Sequence, residues 1–542
     1  MQLKVDETHR SIYRYFKNKA NSLEGEPTPL LKKYRQDQQR YARREFQKSS
    51  VSQLYDSIDT SDIIYLGDFH TFDQSTRNLE RIIRILAKSD YQFAIGVEFI
   101  HINHQFYIDS YLKGAITELE FLESINYKNS WRFPWTFYKI FFDLAKEHNI
   151  SILALNTKGN LETRDKKAAK KIATYHKENP EHKLLILFGE LHIVPNKLPQ
   201  KVFDLANKDV VQTIIHQNTD EVYWKLVETN KLRSDQIVKY NMREFVLVNS
   251  PPWLKYESQI YWYEHLADDP EFDIHEYIIE TGTLKFSDNI FDNFAYFCHE
   301  INNTLNLDIP IGEIEDFRIF DQQSIKRVKN TIGKLKSKKA IGFYNKLLEH
   351  GKTFKLPCKK AYYCSSYSIN RISYLAGIHI HQSKLKIPEK EIVGFFNKRD
   401  RTNLFVYLVH NYISAYFCSK LFNPYRKCNM YKDFQYMARH NKQVKKTDKM
   451  VFKACLKLCN KRVNVNEELK GLNLYQLHKA SRKVSHMLAD IIFDYYFAAN
   501  RVEYKDVYRL VASDDYSNEN YQGLLNEIGN LVEIKKLKKR EF

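Results

Sequence analysis

Residues 63–73 read "IIYLGDFHTFD", and residues 184–193 read "LLILFGELHI". Each is an apolar run followed by a glycine, an acid, one hydrophobic residue and a histidine. Around these two phrases the chain alternates short apolar runs with amphipathic stretches: "DIIYLGD", "STRNLERIIRILAKS", "FAIGVEFI", "WTFYKIFFDLAKEHN", "ISILALN", "ETRDKKAAKKIATYHKEN" and "DVVQTIIHQN". Strands alternating with helical patterns predict βαβ units, hence an α/β fold with a mostly parallel sheet and helices on both faces.

Outward from this core, residues 1–60 are charged and helical, with "LLKKYRQDQQRYARREFQ" mixing signs along a solvated helix surface, and form an N-terminal appendage. The α/β domain spans 61–270. Its last strand falls in "REFVLVN", and Pro251 and Pro252 mark the start of a helix. Residues 271–542 carry long amphipathic segments such as "LFVYLVHNYISAYFCSKLF" and few strand signals, so the fold ends in a largely α-helical C-terminal region of one or two subdomains. Within it, "KRVKNTIGKLKSKK" (326–339) reads as an exposed basic face and "EIKKLKKREF" as a solvated tail.

The chain has 542 residues, 43% of them hydrophobic, enough for more than one core. Its 84 basic and 66 acidic residues give a net charge of +18. That sign suits an anionic membrane surface or nucleic acid. Yet Lys, Asn, Ile, Tyr and Phe are abundant beside only 16 Gly and 13 Pro, as an A/T coding bias would also produce, and no nucleic-acid-binding signature is present, which argues against nucleic acid. No signal peptide, lipobox or uninterrupted apolar span is visible, so the expectation is a cytoplasmic protein. The seven cysteines all follow Phe297 and are an odd number, which fits a reducing compartment. Cys455 and Cys459 share a helix face and Cys358 and Cys364 flank a basic loop. Neither pair has a matching second pair, so buried thiols are expected rather than zinc.

In an open parallel sheet, ligands bind beyond the carboxyl ends of the strands. Both phrases lie at such ends: Gly67 and Gly189 relieve the strand exits, and Asp68, His70, Glu190 and His192 project into the crevice. "FAIGVEF" adds Gly96 and Glu98, and "ILALN" adds Asn156. A single histidine at a strand end is ordinarily a hydrogen-bonded capping residue; its recurrence, with Glu98 between, points to a functional crevice. His70, His192 and Glu98 form a donor set for Zn, Mn or Fe. The same groups can work without a metal, a histidine oriented by an acid taking a proton. Asp68 or Glu190 then fixes a histidine tautomer or handles the proton.

The insertion before the third strand carries "NSWRFPWTFY". It suits a lid that offers a flat apolar surface to a planar ligand, with Arg132 and Tyr138 as candidate contacts and Trp135 and Phe137 as core. Upstream, "HINHQFYIDSYLKG" offers Tyr107 and Tyr111 one helical turn apart.

"LGDFH", "GVEF", "WRFPWTFY", "LALN" and "FGELH" resemble the ChaN-like haem-binding uptake proteins, grouped with the Tiki and TraB proteins and, more distantly, the erythromycin esterases. The resemblance covers about residues 55–230. Family members usually show Gly-Glu-x-His in the first motif; here Asp68 replaces the glutamate and is one methylene shorter. ChaN-like members are associated with haem or iron handling, Tiki-like members with metal-dependent peptide hydrolysis. Carried over, the functional positions are Gly67, His70, Glu98, Gly189 and His192.

The resemblance thus implies a protein whose crevice binds haem or a divalent metal ion (Fe, Mn or Zn), with a histidine or a tyrosine such as Tyr107 as axial ligand. The alternative is a metal-dependent or histidine-based hydrolase of the Tiki or esterase kind that uses the same residues.

Overall fold

The computed structural model describes residues 2–89, 91–206, 209–229, 236–263, 290–356, 360–385, 394–396, 400–439, 444–497 and 513–538. They fall into two compact units: residues 12–263, and residues 2–11 together with 290–538. The boundary expected near residue 270 and Cys358 lie outside the described residues.

The first unit is built on eight strands: β1 (Gln47–Lys48), β2 (Ile63–Asp68), β3 (Phe93–His101), β4 (Ser151–Asn156), β5 (Lys183–Gly189), β6 (Gln212–Gln217), β7 (Ile237–Asn241) and β8 (Glu244–Leu247). Their order across the sheet is β1-β7-β8-β6-β2-β5-β3-β4. From β8 to β4 every neighbour is parallel, while β7 and β1 add an antiparallel edge.

Alternation of side chains along each strand divides the apolar residues between two layers. Ile64, Leu66, Ile95, Val97, Leu185 and Leu187 enter one core, with the helices Asp73–Leu86 and Lys139–His148 over them. Ile63, Tyr65, Ala94, Leu184, Ile186 and Phe188 enter the other, beneath the helices Leu161–Glu178 and Leu198–Leu205. Each fully buried aliphatic or aromatic side chain contributes about 1.5–3 kcal/mol, so a sheet covered on both faces explains why these strands read as unbroken apolar runs. Trp135 is buried in the first of these cores and Phe137 packs against it. Pro252 caps the helix Trp253–Trp262.

Tyr34, Leu54 and Ile58 are buried, and β1 pairs with β7.

The second unit is mainly helical. Its central helix, Thr402–Phe422, is buried around almost its whole circumference, as expected of a helix apolar on every side. Ile369–Leu385 packs against it so closely at Gly377 that a Cβ there would lie 2.9 Å from the Ala415 Cα. A small sheet is added by β9 (Arg318–Phe320), β10 (Phe354–Lys355) and β11 (Ala361–Tyr363), ordered β10-β11-β9. Runs of two or three residues are too short for periodicity to register. Lys326, Arg327, Lys329, Lys334, Lys336, Lys338 and Lys339 are exposed, as the basic-face reading predicts. Cys455 and Cys459 are buried, and burial pushes the Cys455 thiol up to about 12. Among the described residues, no helix is long and apolar enough to cross a membrane.

Candidate functional site

The register of the sheet brings the two phrases together. β2 and β5 are parallel neighbours with Asp68 opposite Gly189, and β3 lies on the other side of β5 with Val97 opposite Leu187. Strands remote in sequence therefore end side by side.

His70 follows the end of β2. Its Nδ1 donates to Asp68 Oδ2 at 2.9 Å, and the same oxygen accepts the Tyr138 hydroxyl at 3.2 Å. The His70 Nε2 stands 3.9 Å from Glu98 Oε2, and 27% of the side chain is exposed. Trp131 and Phe133 wall this ring at centroid distances of 4.7 and 5.2 Å, and Trp262 stacks on Phe133 at 4.8 Å. Burial opposes charging of the imidazole, but the hydrogen bond and charge of Asp68, with the charge of Glu98, outweigh it and raise the His70 pKa above its ordinary value.

On the other side, His192 Nε2 is 3.9 Å from Glu98 Oε1. Its Nδ1 lies 2.5 Å from Asp165 Oδ1, and Tyr34 donates to Asp165 Oδ2 at 2.7 Å. Glu98 is thus the shared centre. It accepts from Arg164 and, at 2.5 Å, from the Gly189 N–H. Burial would raise its pKa; Arg164, both histidines and the Gly189 N–H overcome this and lower it, so it is held as a carboxylate.

Gly189 is what permits the convergence. A Cβ there would meet Glu98 Oε2 at 3.2 Å, His192 Cδ2 at 3.3 Å and His70 Nε2 at 3.4 Å. Gly67 and Gly96 serve packing instead: a Cβ would press on Ile193 and Glu190 at the first and on Leu155 and Ile186 at the second.

Other expected site residues fall outside the cluster. Glu190 faces Lys255 at 4.0 Å, and Asp165 takes the place beside His192 for which Glu190 was considered. Asn156 pairs in register with His101 at the far edge of the sheet. Tyr107 lies in the helix Gln105–Leu112 with His104 and Phe106 as ring neighbours, and Tyr111 stacks on Phe121. Arg132 adopts a left-handed φ of 63° in the aromatic segment, where its carbonyl accepts from Trp262.

Asp165 and Arg164 were not among the expected residues. They sit in "ETRDKKAAKK", which reads as a solvated basic helix. The signal was there: Asp165 falls in line with Ala168, Ala169 and Ile172, at i+3, i+4 and i+7, so a carboxylate occupies the buried stripe.

The donors do not form an open shell for a small cation. Arg164 already holds Glu98 Oε1, and among the described residues no group of three or more His, Cys, Asp and Glu is arranged to hold a metal ion. A haem iron asks for less, one accessible axial nitrogen beside an apolar surface, and His70 with Trp131 and Phe133 meets that requirement.

Fold and cluster together define an α/β protein with paired histidines around one carboxylate at the carboxyl edge of a parallel sheet. Residues 54–162 match the profile of the family described as haem-binding uptake, Tiki superfamily, ChaN. That span holds His70, Glu98 and the aromatic segment and stops short of Asp165 and His192. Among solved structures, the chain is similar to one described as cofacial haem binding to ChaN of Campylobacter jejuni, at 16% identity with a TM-score of 0.26, over 37% of this chain and 92% of that one. No curated protein matches the chain.

Proposed function

We propose that the α/β unit binds haem at the carboxyl edge of its sheet, with His70 as the axial ligand. One observation carries the reading. The imidazole is oriented through Nδ1 by Asp68, its Nε2 has no hydrogen-bond partner among the described residues, and it stands partly open beside Trp131 and Phe133. Asp68 selects the tautomer that leaves Nε2 as a lone-pair donor, and Tyr138 steadies Asp68. The aromatic rings supply apolar surface for a macrocycle. The family description of residues 54–162 supports the same ligand.

Titrating the purified chain with haemin tests the reading. A Soret shift that saturates, is lost in His70→Ala and persists in Tyr107→Phe is expected. Absence of a shift at any ratio, or a shift unchanged in His70→Ala, would end it.

A second reading is favoured by one feature. Two Asp-oriented histidines face a single anionic Glu98, a set able to move protons without a metal. It predicts ester or amide hydrolysis that survives chelators and is lost in His192→Ala. An activity indifferent to that substitution would exclude it.

A further inference from the structure

In the helical unit, cations gather from four segments of chain. Lys479, Arg482 and Lys483 share one face of the helix Leu474–Ile492, being three and four positions apart. Arg371 belongs to Ile369–Leu385, Lys352 follows Lys338–Glu349, and Arg426 follows Thr402–Phe422. The Arg426 and Arg482 guanidinium groups lie 5.3 and 5.4 Å from the centre of one ring, Tyr374, and Lys479 Nζ is 5.3 Å from the ring of Tyr475. Lys352 is within electrostatic reach of Arg371, Lys479, Arg482 and Lys483. All six cations are partly buried.

Among the described residues few carboxylates offset the charges of Lys352, Arg426, Lys479, Arg482 and Lys483, and Asp448 is within electrostatic reach of Lys483. Asp448 also accepts from Lys479 at 2.7 Å. Other contacts are to neutral acceptors: Arg426 donates to the Asn370 carbonyl at 2.9 Å and Lys483 to Asn429 Oδ1 at 3.2 Å. Such acceptors orient a cation without cancelling its charge. Burial and the neighbouring cations both lower the Lys352 pKa. His478, 4% exposed and within reach of Lys352, Lys479 and Arg482, leaves its Nδ1 without a hydrogen-bond partner. Half-buried like charges repel more strongly than solvated ones, so this arrangement is favoured when an anion joins it.

We propose that this cluster binds a compact, multiply charged, phosphate-bearing small molecule. Guanidinium groups match phosphate oxygens in pairs and lysines add point charges. Convergence of the cations on a single patch suits a compact polyanion, whereas a nucleic-acid strand needs an extended basic track.

Inorganic tripolyphosphate, titrated calorimetrically into the full chain at low salt, is the probe. Saturable binding is expected, with a raised melting temperature and an affinity that falls steeply with salt. Lys352→Met and Arg482→Met should each weaken it at least about tenfold, the loss of one charge-assisted contact. Lys352→Met, which removes one of several like charges, should melt no lower than the parent without ligand, keeping the test open if Arg482→Met folds poorly. No binding by the parent chain, or binding of parental affinity in both variants, overturns the proposal. So does a single-stranded oligonucleotide or an anionic phospholipid vesicle that binds more tightly than tripolyphosphate and displaces it.

Discussion

Asp165 Oδ1 lies 2.5 Å from His192 Nδ1, and the other oxygen of the same carboxylate accepts the Tyr34 hydroxyl. A helix that reads as solvated thus anchors both a site histidine and a residue of the N-terminal segment. Asp165→Ala strands two buried polar groups at once and is expected to cost about 3 kcal/mol. Asp165→Asn retains an acceptor for Tyr34 and should cost less. Urea unfolding of the two variants checks the order.

Gly189→Ala places a methyl group among Glu98, His192 and His70. Overpacking there is expected to cost about 1–3 kcal/mol and to abolish the haemin-induced Soret shift. A fully folded Gly189→Ala protein with parental haemin affinity would count against ligation through His70 Nε2, which the added methyl group would crowd at 3.4 Å.

Arg164→Met removes the guanidinium that holds Glu98, whose side chain is 3% exposed. Arg164 is itself 22% exposed, so the expected loss is discounted for screening to about 2 kcal/mol. Adding Glu98→Gln should recover part of it, because the stranded charge is then gone. A double mutant less stable than Arg164→Met would contradict this account.

Asp220 contributes to the acid dependence of the α/β unit. Burial would raise its pKa, but Lys255 at 3.2 Å, Lys17 at 3.3 Å and the hydroxyls of Tyr256 and Tyr13 bring it down to about 2. A folded-state pKa below the unfolded value means that the stabilisation is fully present above about pH 4 and is lost as the pH falls through about 2. From that shift the contribution is about 2 kcal/mol. Asp220→Asn should flatten the fall in stability between pH 4 and 2, measured by thermal unfolding across that window.

Much of the α/β unit could be read directly. Strands buried on both faces leave long apolar runs, and a phrase that ends a strand must project past the sheet edge, so His70, Glu98 and His192 were identifiable without coordinates. The aromatic segment beside His70 was legible too, as a cluster of Trp and Phe on a connecting loop. Asn156 and Tyr107 fared differently, because a strand end or a helix face predicts exposure to a crevice without saying which strands are neighbours.

The amino-acid order by itself determined the alternation of strand and helix, the strand-end chemistry and the helical character of the second half, since each depends on local periodicity. Only tertiary structure decided that β2 and β5 lie side by side, that Glu98 is shared between two histidines and held by Arg164, and that Asp165 orients His192. Those are pairings between residues up to about 120 positions apart, and strand order and helix docking, which no local pattern encodes, set the distances between them.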